Sequence, residues 1–340
     1  MSMYGFRDAV ADLLKVAGFS SDFTLHPLVG GANNRVFRVE ANGSEMLLKV
    51  YFHHPDDPRD RLQAEYSFSR FAWKNGVRCL PQPLAYDIQN FLGLYGFVKG
   101  RQVQSHEISE NAVQQALDFF REVNKHKRSP DATALAMASE ACFTLEEHLQ
   151  QVEHRVQNLR QVNDLPGIEH EVALFICHEL SLAWDRVAVV VRKQSSTMKL
   201  SLENEILPQD RCLSPSDFGF HNAILNEEGW LHFIDFEYAG WDDPAKMVCD
   251  FFCQPTVPVP ITYYDMFTES VVADLSEPEK HLERIALLWP VYRLKWCCIL
   301  LNDFLPVGNA RRRFAGVDAD HEIQKFKQLQ KARNFLQSLS

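Results

Sequence analysis

Three oxygen-bearing side chains lie close together in the sequence between residues 213 and 250. Asp217 is followed by Asn222, and Asp235 follows an alternating apolar run at residues 230–234 that predicts a short strand. We expect one β-hairpin to gather the three side chains. In phosphoryl transfer, a carboxylate accepts the proton of an attacking hydroxyl, while an amide and a second carboxylate hold magnesium. Each residue alone is typical of a turn, a cap or a strand end, but the three in this order favour catalysis.

The segment around Asp217 and Asp235 resembles a known pair of loops. The pattern Asp217-x-x-x-x-Asn222, followed by Ile-Asp-Phe-Glu at residues 234–237, is similar to the catalytic and metal loops of the aminoglycoside phosphotransferase and choline kinase superfamily, the small-molecule relatives of protein kinases. The resemblance implies that Asp217 is the catalytic base and that Asn222 and Asp235 bind Mg2+. It places Glu237 where protein kinases have the glycine of Asp-Phe-Gly.

One position in this segment departs from the family pattern. Pro215 stands two residues before Asp217, where family members normally have a histidine. The resemblance gives that histidine the role of bracing the loop and not of moving protons, so we interpret Pro215 as the trait of a subfamily. The same departure motivates an alternative, a catalytically silent nucleotide-binding scaffold with a kinase-like fold.

Two further acidic residues after Asp235 match the family pattern. Asp243, which precedes Pro244, and Asp250 correspond to an aspartate of a Gly-Asp-Pro element and an aspartate on the helix that follows. The resemblance implies buried carboxylates that hydrogen-bond the backbone of the catalytic loop. Asp242 is explained as readily by a solvated turn, and we assign it no role.

A glycine pair separates two earlier strand patterns. Residues 23–29 and 35–40 alternate as strands do, and the intervening Gly-Gly-Ala-Asn-Asn tolerates positive φ. Judged from these residues alone, a plain hairpin is the better explanation. The resemblance implies a nucleotide loop in which Gly30, Gly31 and Asn34 contact the phosphates.

A lysine and a glutamate follow on consecutive predicted elements. Lys49 lies among aliphatic residues in a strand pattern at residues 46–51, where burial of its charge would require an anion. Glu65 lies in a helical pattern at residues 57–75. An outward-facing lysine and a solvated glutamate are the alternatives. The resemblance implies that Lys49 binds the α- and β-phosphates and pairs with Glu65.

The predicted secondary structure changes from strands to helices near residue 100. Residues 84–87 and 91–98 predict strands, whereas the later patterns, at 111–127, 144–162, 169–193 and 284–302, are helical. With the resemblance, this indicates an α+β, bilobal protein-kinase-like fold, with an antiparallel-sheet N-lobe at residues 1–100 and a mainly helical C-lobe at 101–340. The resemblance implies a hinge whose backbone at Phe97, Val98 and Lys99 binds adenine. A helical insertion at 131–211 is expected to shape the acceptor pocket.

Size, charge and cysteine usage limit the function classes. With 340 residues and 46% hydrophobic residues, the chain exceeds the roughly 250 to 300 residues at which a single core stops growing, so two lobes are expected. A net charge of −10 argues against nucleic acid or anionic membrane as a partner. Eight cysteines without a Cys-x-x-Cys pair suggest thiols in a reducing compartment. With no apolar run of ~18 residues and no signal-peptide core near residue 1, we expect a cytoplasmic protein; no pattern indicates its oligomeric state.

The resemblance implies a phosphotransferase that depends on ATP and Mg2+, with GTP as an alternative nucleotide. The acceptor would be a hydroxyl group of a small molecule: an aminoglycoside, a choline-like amine, or a sugar or polyol. A protein-directed kinase or nucleotidyl transferase is a second alternative. No Ala-Pro-Glu sequence follows Asp235, which argues against a protein kinase.

Overall fold

The computed structural model describes residues 3–28, 33–54, 57, 59–162, 166–305, 314 and 321–338. Its first part is an antiparallel sheet with strand order β1-β2-β3-β5-β4. The strands are β1 (Thr24–Leu28), β2 (Arg35–Ala41), β3 (Ser44–Val50), β4 (Pro83–Asp87) and β5 (Leu92–Gly96). Between β2 and β3, Asn42 and Gly43 have φ of 51° and 73°, as a two-residue Asn-Gly hairpin turn requires.

Two helices accompany this sheet. Helix α1 (Met3–Val16) buries Val10 and Leu14 in one hydrophobic core with Met46 and Leu94 of the sheet. Helix α2 (Arg61–Lys74) begins later than its apolar pattern suggests. The carboxylate of Asp60 accepts the N–H of Gln63 at 3.0 Å, so the helix is capped there.

A glycine lies where the chain leaves this sheet for the helical part. Gly100 has a φ of +149°, and a Cβ at this position would lie 2.4 Å from the carbonyl oxygen of Leu225. Only glycine therefore allows the two backbones to approach so closely. The next strand, β6 (Arg101–Gln102), pairs with a later β-hairpin.

The rest of the described chain is mainly helical and surrounds a second, larger hydrophobic core. Its helices are α3 (Glu110–Asn124), α4 (Pro130–Thr133), α5 (Leu145–Leu159), α6 (Ile168–Phe175), α7 (Ser181–Met198), α8 (Pro244–Cys253), α9 (Tyr264–Val272), α10 (Pro278–Leu300) and α11 (His321–Gln337). Short 3-10 turns occur at Ser105–Glu107, Pro208–Asp210, Phe220–Asn222, Ile261–Tyr263 and Asn302–Phe304. The single helix expected at residues 169–193 is divided by a π-helical turn at Ile176–Leu180. Within the described residues, no helix has the length and apolarity that crossing a membrane requires.

Two small sheets lie within the helical part. Strand β7 (Cys212–Ser214) pairs with β10 (Gly240–Asp242). Strand β8 (Ala223–Leu225) pairs with β9 (Leu231–Phe233), which gives the hairpin that the sequence predicts, and β6 adds to β8 on its other side. The loops of these two sheets hold the candidate catalytic residues.

Candidate active site

The β8–β9 hairpin gathers Asp217, Asn222 and Asp235. Asp217 lies between β7 and the 3-10 turn that contains Asn222, and the Asn222 amide nitrogen donates to the Asp217 backbone oxygen at 3.0 Å and to its Oδ2 at 3.2 Å. The backbone oxygen of Asn222 accepts the N–H of Ile234 at 2.9 Å, which brings Asp235 alongside. Asp235 has a φ of 68°, an uncommon conformation for a residue other than glycine and one found at functional sites.

Lys49 connects the five-stranded sheet to this hairpin. Its ammonium nitrogen lies 2.8 Å from both carboxylate oxygens of Glu65 and 2.7 Å from Oδ1 of Asp235. Lys49 is only 6% exposed, so it is not an outward-facing strand lysine. Burial disfavours its charge, but the carboxylates of Asp235 and Glu65 outweigh that effect and raise the pKa of Lys49. The expected Lys49–Glu65 pair is therefore formed, and Asp235 shares it.

Glu237 connects the predicted nucleotide loop to the metal loop. The Asn34 amide donates to Oε2 of Glu237 at 2.7 Å, and the Asn33 amide donates to Oε1 at 2.6 Å. Asn34 also accepts the backbone N–H of Phe52 at 3.1 Å. Its buried side chain thus links the start of β2 to Glu237, and direct contact with nucleotide stays a prediction. Gly30 and Gly31 lie outside the described residues.

Phe97, Val98 and Lys99 form the irregular link between β5 and β6. Within the described part of the chain, none of their backbone N–H and C=O groups takes part in a backbone hydrogen bond. These groups are therefore available to a planar heterocycle, as the hinge prediction requires. The Lys99 ammonium lies 2.7 Å from Glu45 and not in the cluster around Lys49.

A histidine that the sequence interpretation did not select lies beside Asp217. The Nε2 atom of His221 is 3.1 Å from Oδ1 of Asp217. Although burial opposes ionisation of both groups, their mutual attraction lowers the pKa of Asp217 and raises that of His221. Asp217 is therefore ionised at neutral pH, as a general base must be. The sequence signal that could have identified His221 is its position in a loop, four residues after the candidate base Asp217.

The loop at Pro215 is held by a buried lysine. The Lys246 ammonium donates to Oγ of Ser216 at 3.1 Å and to Oδ2 of Asp242 at 2.5 Å. Lys246 is 1% exposed, and Ser216 has a φ of 67°. A cation from α8 therefore contacts Ser216, the residue next to Pro215, where the family pattern has a histidine. Asp242, to which the sequence interpretation assigned no role, is the anchor of this lysine.

Asp243 and Asp250 are buried as expected, but their contacts differ from those expected. Asp243 caps α8 by accepting the N–H of Ala245 at 2.7 Å and binds Arg284 at 2.7 Å. Asp250 accepts hydrogen bonds from Lys295 at 2.8 Å and from the Trp296 indole at 2.9 Å. In the described hydrogen bonds, neither carboxylate binds the backbone of the catalytic loop. Both carboxylates instead link helices of the larger core, because Arg284, Lys295 and Trp296 of α10 donate hydrogen bonds to them.

A cavity of about 240 Å³ opens beside Asp217, between the helical part and the side chains of Asn33 and Arg59. The residues that line it include Asp217, Ser139, Glu140, Arg155, Lys295 and Trp296. Ser139, Glu140 and Arg155 come from the stretch that the sequence predicts as an insertion. Sequence reasoning found neither Glu140 nor Arg155, because only the tertiary fold brings them to Asp217.

Comparisons with known proteins identify the family of this chain. A family model described as the phosphotransferase enzyme family matches residues 24–255. A sequence search of curated proteins gives no significant match.

Solved structures share the fold at low sequence identity. The spectinomycin phosphotransferase APH(9)-Ia, in complex with ADP and spectinomycin, aligns with a TM-score of 0.63 at 14% identity over 96% of this chain and 98% of that chain. A choline/ethanolamine kinase family protein from Mesorhizobium loti aligns with a TM-score of 0.59 at 16% identity over 98% and 95%. The choline kinase LicA from Streptococcus pneumoniae aligns with a TM-score of 0.56 at 15% identity over 98% of each chain. The family and the fold predicted from the sequence are thus confirmed: the chain belongs to the phosphotransferase enzyme family and has its protein-kinase-like fold.

Proposed function

We propose that this enzyme transfers the γ-phosphoryl group of ATP, with Mg2+, to a hydroxyl group of a small molecule. The observation that carries the proposal is the position of the Lys49 ammonium, 2.8 Å from Glu65 and 2.7 Å from Asp235. A buried cation shared by the sheet and the metal loop suits a nucleotide whose phosphates extend between them. Gly30, Gly31 and Asn34 would lie along these phosphates.

Asn222 and Asp235 offer suitable donors for Mg2+. The amide nitrogen of Asn222 donates to Asp217. Within the described residues, no hydrogen bond is made by Oδ1 of Asn222 or by Oδ2 of Asp235. An amide oxygen and a carboxylate oxygen are hard ligands that leave positions for phosphate and water. No group of three or more His, Cys, Asp or Glu side chains in the described ranges could hold a metal by itself. Held by Asn222 and Asp235, Mg2+ would supply positive charge that offsets the negative charge developing on the phosphates.

Asp217 would orient the acceptor and take its proton. The acceptor oxygen forms a bond to the γ-phosphorus while its hydrogen passes to the Asp217 carboxylate, and the bond from phosphorus to the oxygen of the leaving ADP breaks. Asn222 holds one oxygen of Asp217 and His221 the other, so the carboxylate is positioned before the acceptor arrives.

The backbone of Phe97, Val98 and Lys99 would bind the purine. Recognition through backbone groups accommodates adenine, and GTP is the second nucleotide to test. We further propose a lobe boundary at residue 100, supported by the close approach of Gly100 to Leu225. Residues 131–211 would then form part of the acceptor site, since Ser139, Glu140 and Arg155 line the cavity beside Asp217.

Thermal unfolding with and without nucleotide tests the proposal. Because a ligand that binds only the native state raises the melting temperature, ATP with Mg2+ should raise Tm more than ATP with a chelator. Appearance of ADP on addition of an acceptor should follow. No shift with ATP or GTP at millimolar concentration would refute the nucleotide site.

Two further outcomes correspond to the alternatives. A Mg2+-dependent shift without turnover across acceptors would indicate a silent scaffold. Radiolabel from γ- or α-labelled ATP on a partner protein would indicate a protein-directed kinase or a nucleotidyl transferase, respectively.

A further inference from the structure

We propose that the phosphoryl acceptor is an uncharged polyol of about the size of one monosaccharide, and that the Glu140–Arg155 ion pair binds its hydroxyl groups. This inference rests on the proposed function, because it takes the cavity beside Asp217 as the acceptor site. It selects one of the three acceptor classes that the sequence leaves open.

The size of the cavity limits the acceptor. Its volume of about 240 Å³ lies just below the range of about 300 to 1,000 Å³ that is usual for small-molecule sites. A single sugar ring or a short polyol fits such a space.

Most of the charged side chains that line the cavity are paired within the protein. Glu140 is bound through both carboxylate oxygens by Arg155, and Asp250 is bound by Lys295 at 2.8 Å and 2.9 Å. Asp303 also lines the cavity but is only 3% exposed. The carboxylates with substantial exposure are Asp217, the proposed base, and Glu140. A cationic acceptor therefore finds no accessible acid that is not already paired or engaged in catalysis, and an anionic acceptor finds paired cations.

Hydroxyl groups suit the Glu140–Arg155 pair. Both side chains are partly accessible, with exposed fractions of 34% for Glu140 and 20% for Arg155. A carboxylate accepts hydrogen bonds and a guanidinium donates them, whereas each hydroxyl of a polyol can do both. Neighbouring hydroxyls on one molecule can thus bind the two partners without breaking the ion pair.

The backbone at Glu140 supports a functional role for its side chain. Glu140 has a φ of 61°, a left-handed conformation that is uncommon for residues other than glycine. The Gln151 amide holds its carbonyl oxygen at 2.8 Å, and Arg155, one turn further along α5, holds its carboxylate. Such conformations persist where the surroundings fix them and are concentrated at ligand sites.

An apolar wall completes the match to a sugar. The Trp296 indole donates its N–H to Asp250 at 2.9 Å, so its polar edge is satisfied and its carbon surface, together with Ile299, faces the cavity. A polyol ring has hydroxyls at its edge and C–H groups on its faces. Polar contacts on one side and apolar contacts on the other are the usual composition of a small-molecule site.

Steady-state formation of ADP by the whole chain, with ATP and Mg2+, tests the inference. The neutral panel contains aldohexoses, ketohexoses, pentoses, inositols and linear alditols; the cationic panel contains choline, ethanolamine, spectinomycin and kanamycin. We expect turnover with a member of the neutral panel and none above background with the cationic panel. Turnover that is faster with an amine than with every polyol would overturn the inference and leave the proposed function intact.

Two variants separate recognition from folding. Glu140→Gln should raise the KM for the polyol about tenfold or more, with kcat within about threefold and the KM for ATP unchanged. The control is Glu146→Gln. It removes a similar ion pair, between Glu146 of α5 and Arg192 of α7, outside the cavity, and it should leave both KM values unchanged. Equal KM values for Glu140→Gln and the wild type would refute the role of Glu140.

The same experiment distinguishes the two levels of proposal. A Mg2+-dependent nucleotide shift with no polyol turnover would overturn the acceptor class while retaining the nucleotide site. Absence of any nucleotide shift would overturn both.

Discussion

The ammonium nitrogen of Lys49 lies 2.7 Å from Oδ1 of Asp235, so a residue of strand β3 contacts the segment that follows β9. Because Glu65 holds the same ammonium at 2.8 Å, Lys49 is positioned from both sides. The proposed phosphate-binding cation and one proposed metal ligand thus neutralise each other before nucleotide binds. When nucleotide and Mg2+ bind together, Lys49 would contact the phosphates and Asp235 would contact Mg2+ in place of each other. This exchange predicts that binding of ATP and binding of Mg2+ are coupled.

Asp235→Asn should remove the metal dependence of nucleotide binding. The amide keeps the shape of the side chain but loses the charge that favours Mg2+. We expect the Kd for ATP in the presence of Mg2+ to rise about tenfold or more, to the value measured with a chelator. Calorimetric titration with and without Mg2+ checks this. Asp185→Asn, at an exposed position on α7, is the control, and an unchanged Mg2+ effect in Asp235→Asn would contradict the assignment.

Asp217→Asn should separate binding from chemistry. The base acts only as the acceptor reacts, so its loss affects the transition state and not the bound nucleotide. We expect the Kd for ATP to stay within about threefold of the wild-type value while kcat falls by about one hundred- to ten-thousand-fold. Titration with ATP and single-turnover assays measure the two quantities. Retention of kcat would exclude Asp217 as the base.

Lys246→Met should disturb the catalytic loop and the core together. It leaves the Asp242 carboxylate buried without its cation, which costs about 3 to 5 kcal/mol of unfolding free energy. Adding Asp242→Asn removes that charge and should restore much of the stability measured in urea. Ser216 still lacks its hydrogen bond in the double variant, so we expect kcat to stay about tenfold or more below the wild type. A double variant with full stability and full kcat would show that Lys246 does not position Asp217.

Stability of the Glu140–Arg155 pair should depend on acid pH. Burial opposes ionisation of Glu140, but Arg155 outweighs this and lowers the pKa of Glu140 from 4.5 to about 2. The pair therefore stabilises the native state above pH 4.5, and the contribution is lost as the pH falls towards about 2. The difference in unfolding free energy between the wild type and Glu140→Gln should shrink over that interval in urea titrations. Glu228→Gln, an exposed control, should show no such trend, and a difference independent of pH would contradict the pairing.

Local patterns were sufficient to predict the hairpin that gathers Asp217, Asn222 and Asp235. These residues belong to adjacent elements, and their geometry follows from strand alternation and the turn between strands. The Lys49–Glu65 pair could be expected only from the order of elements and the family resemblance. The π-helical turn that divides the helix at residues 169–193 could not be predicted, because the spacing of the apolar residues does not change there.

Contacts across the tertiary fold could not be predicted in the same way. Arg155 reaches Glu140 from the helix that follows it, and Lys246 reaches Ser216 from α8. Both pairs are set by how helices pack on the larger core. Asp243 and Asp250 were correctly expected to be buried, but no local rule specifies which of several cations a buried carboxylate will meet.

The contact of Asn33 and Asn34 with Glu237 has a consequence for the release of ADP. Glu237 is only 2% exposed, and this burial raises the pKa of its carboxyl group. Asn33 and Asn34 can move away from the segment that follows β9 only if water replaces their two amides around that carboxylate. Separation of Asn33 and Asn34 from this segment therefore requires water to enter between them. We expect its rate to respond to the activity of water, so that osmolytes excluded from protein surfaces would slow the departure of product.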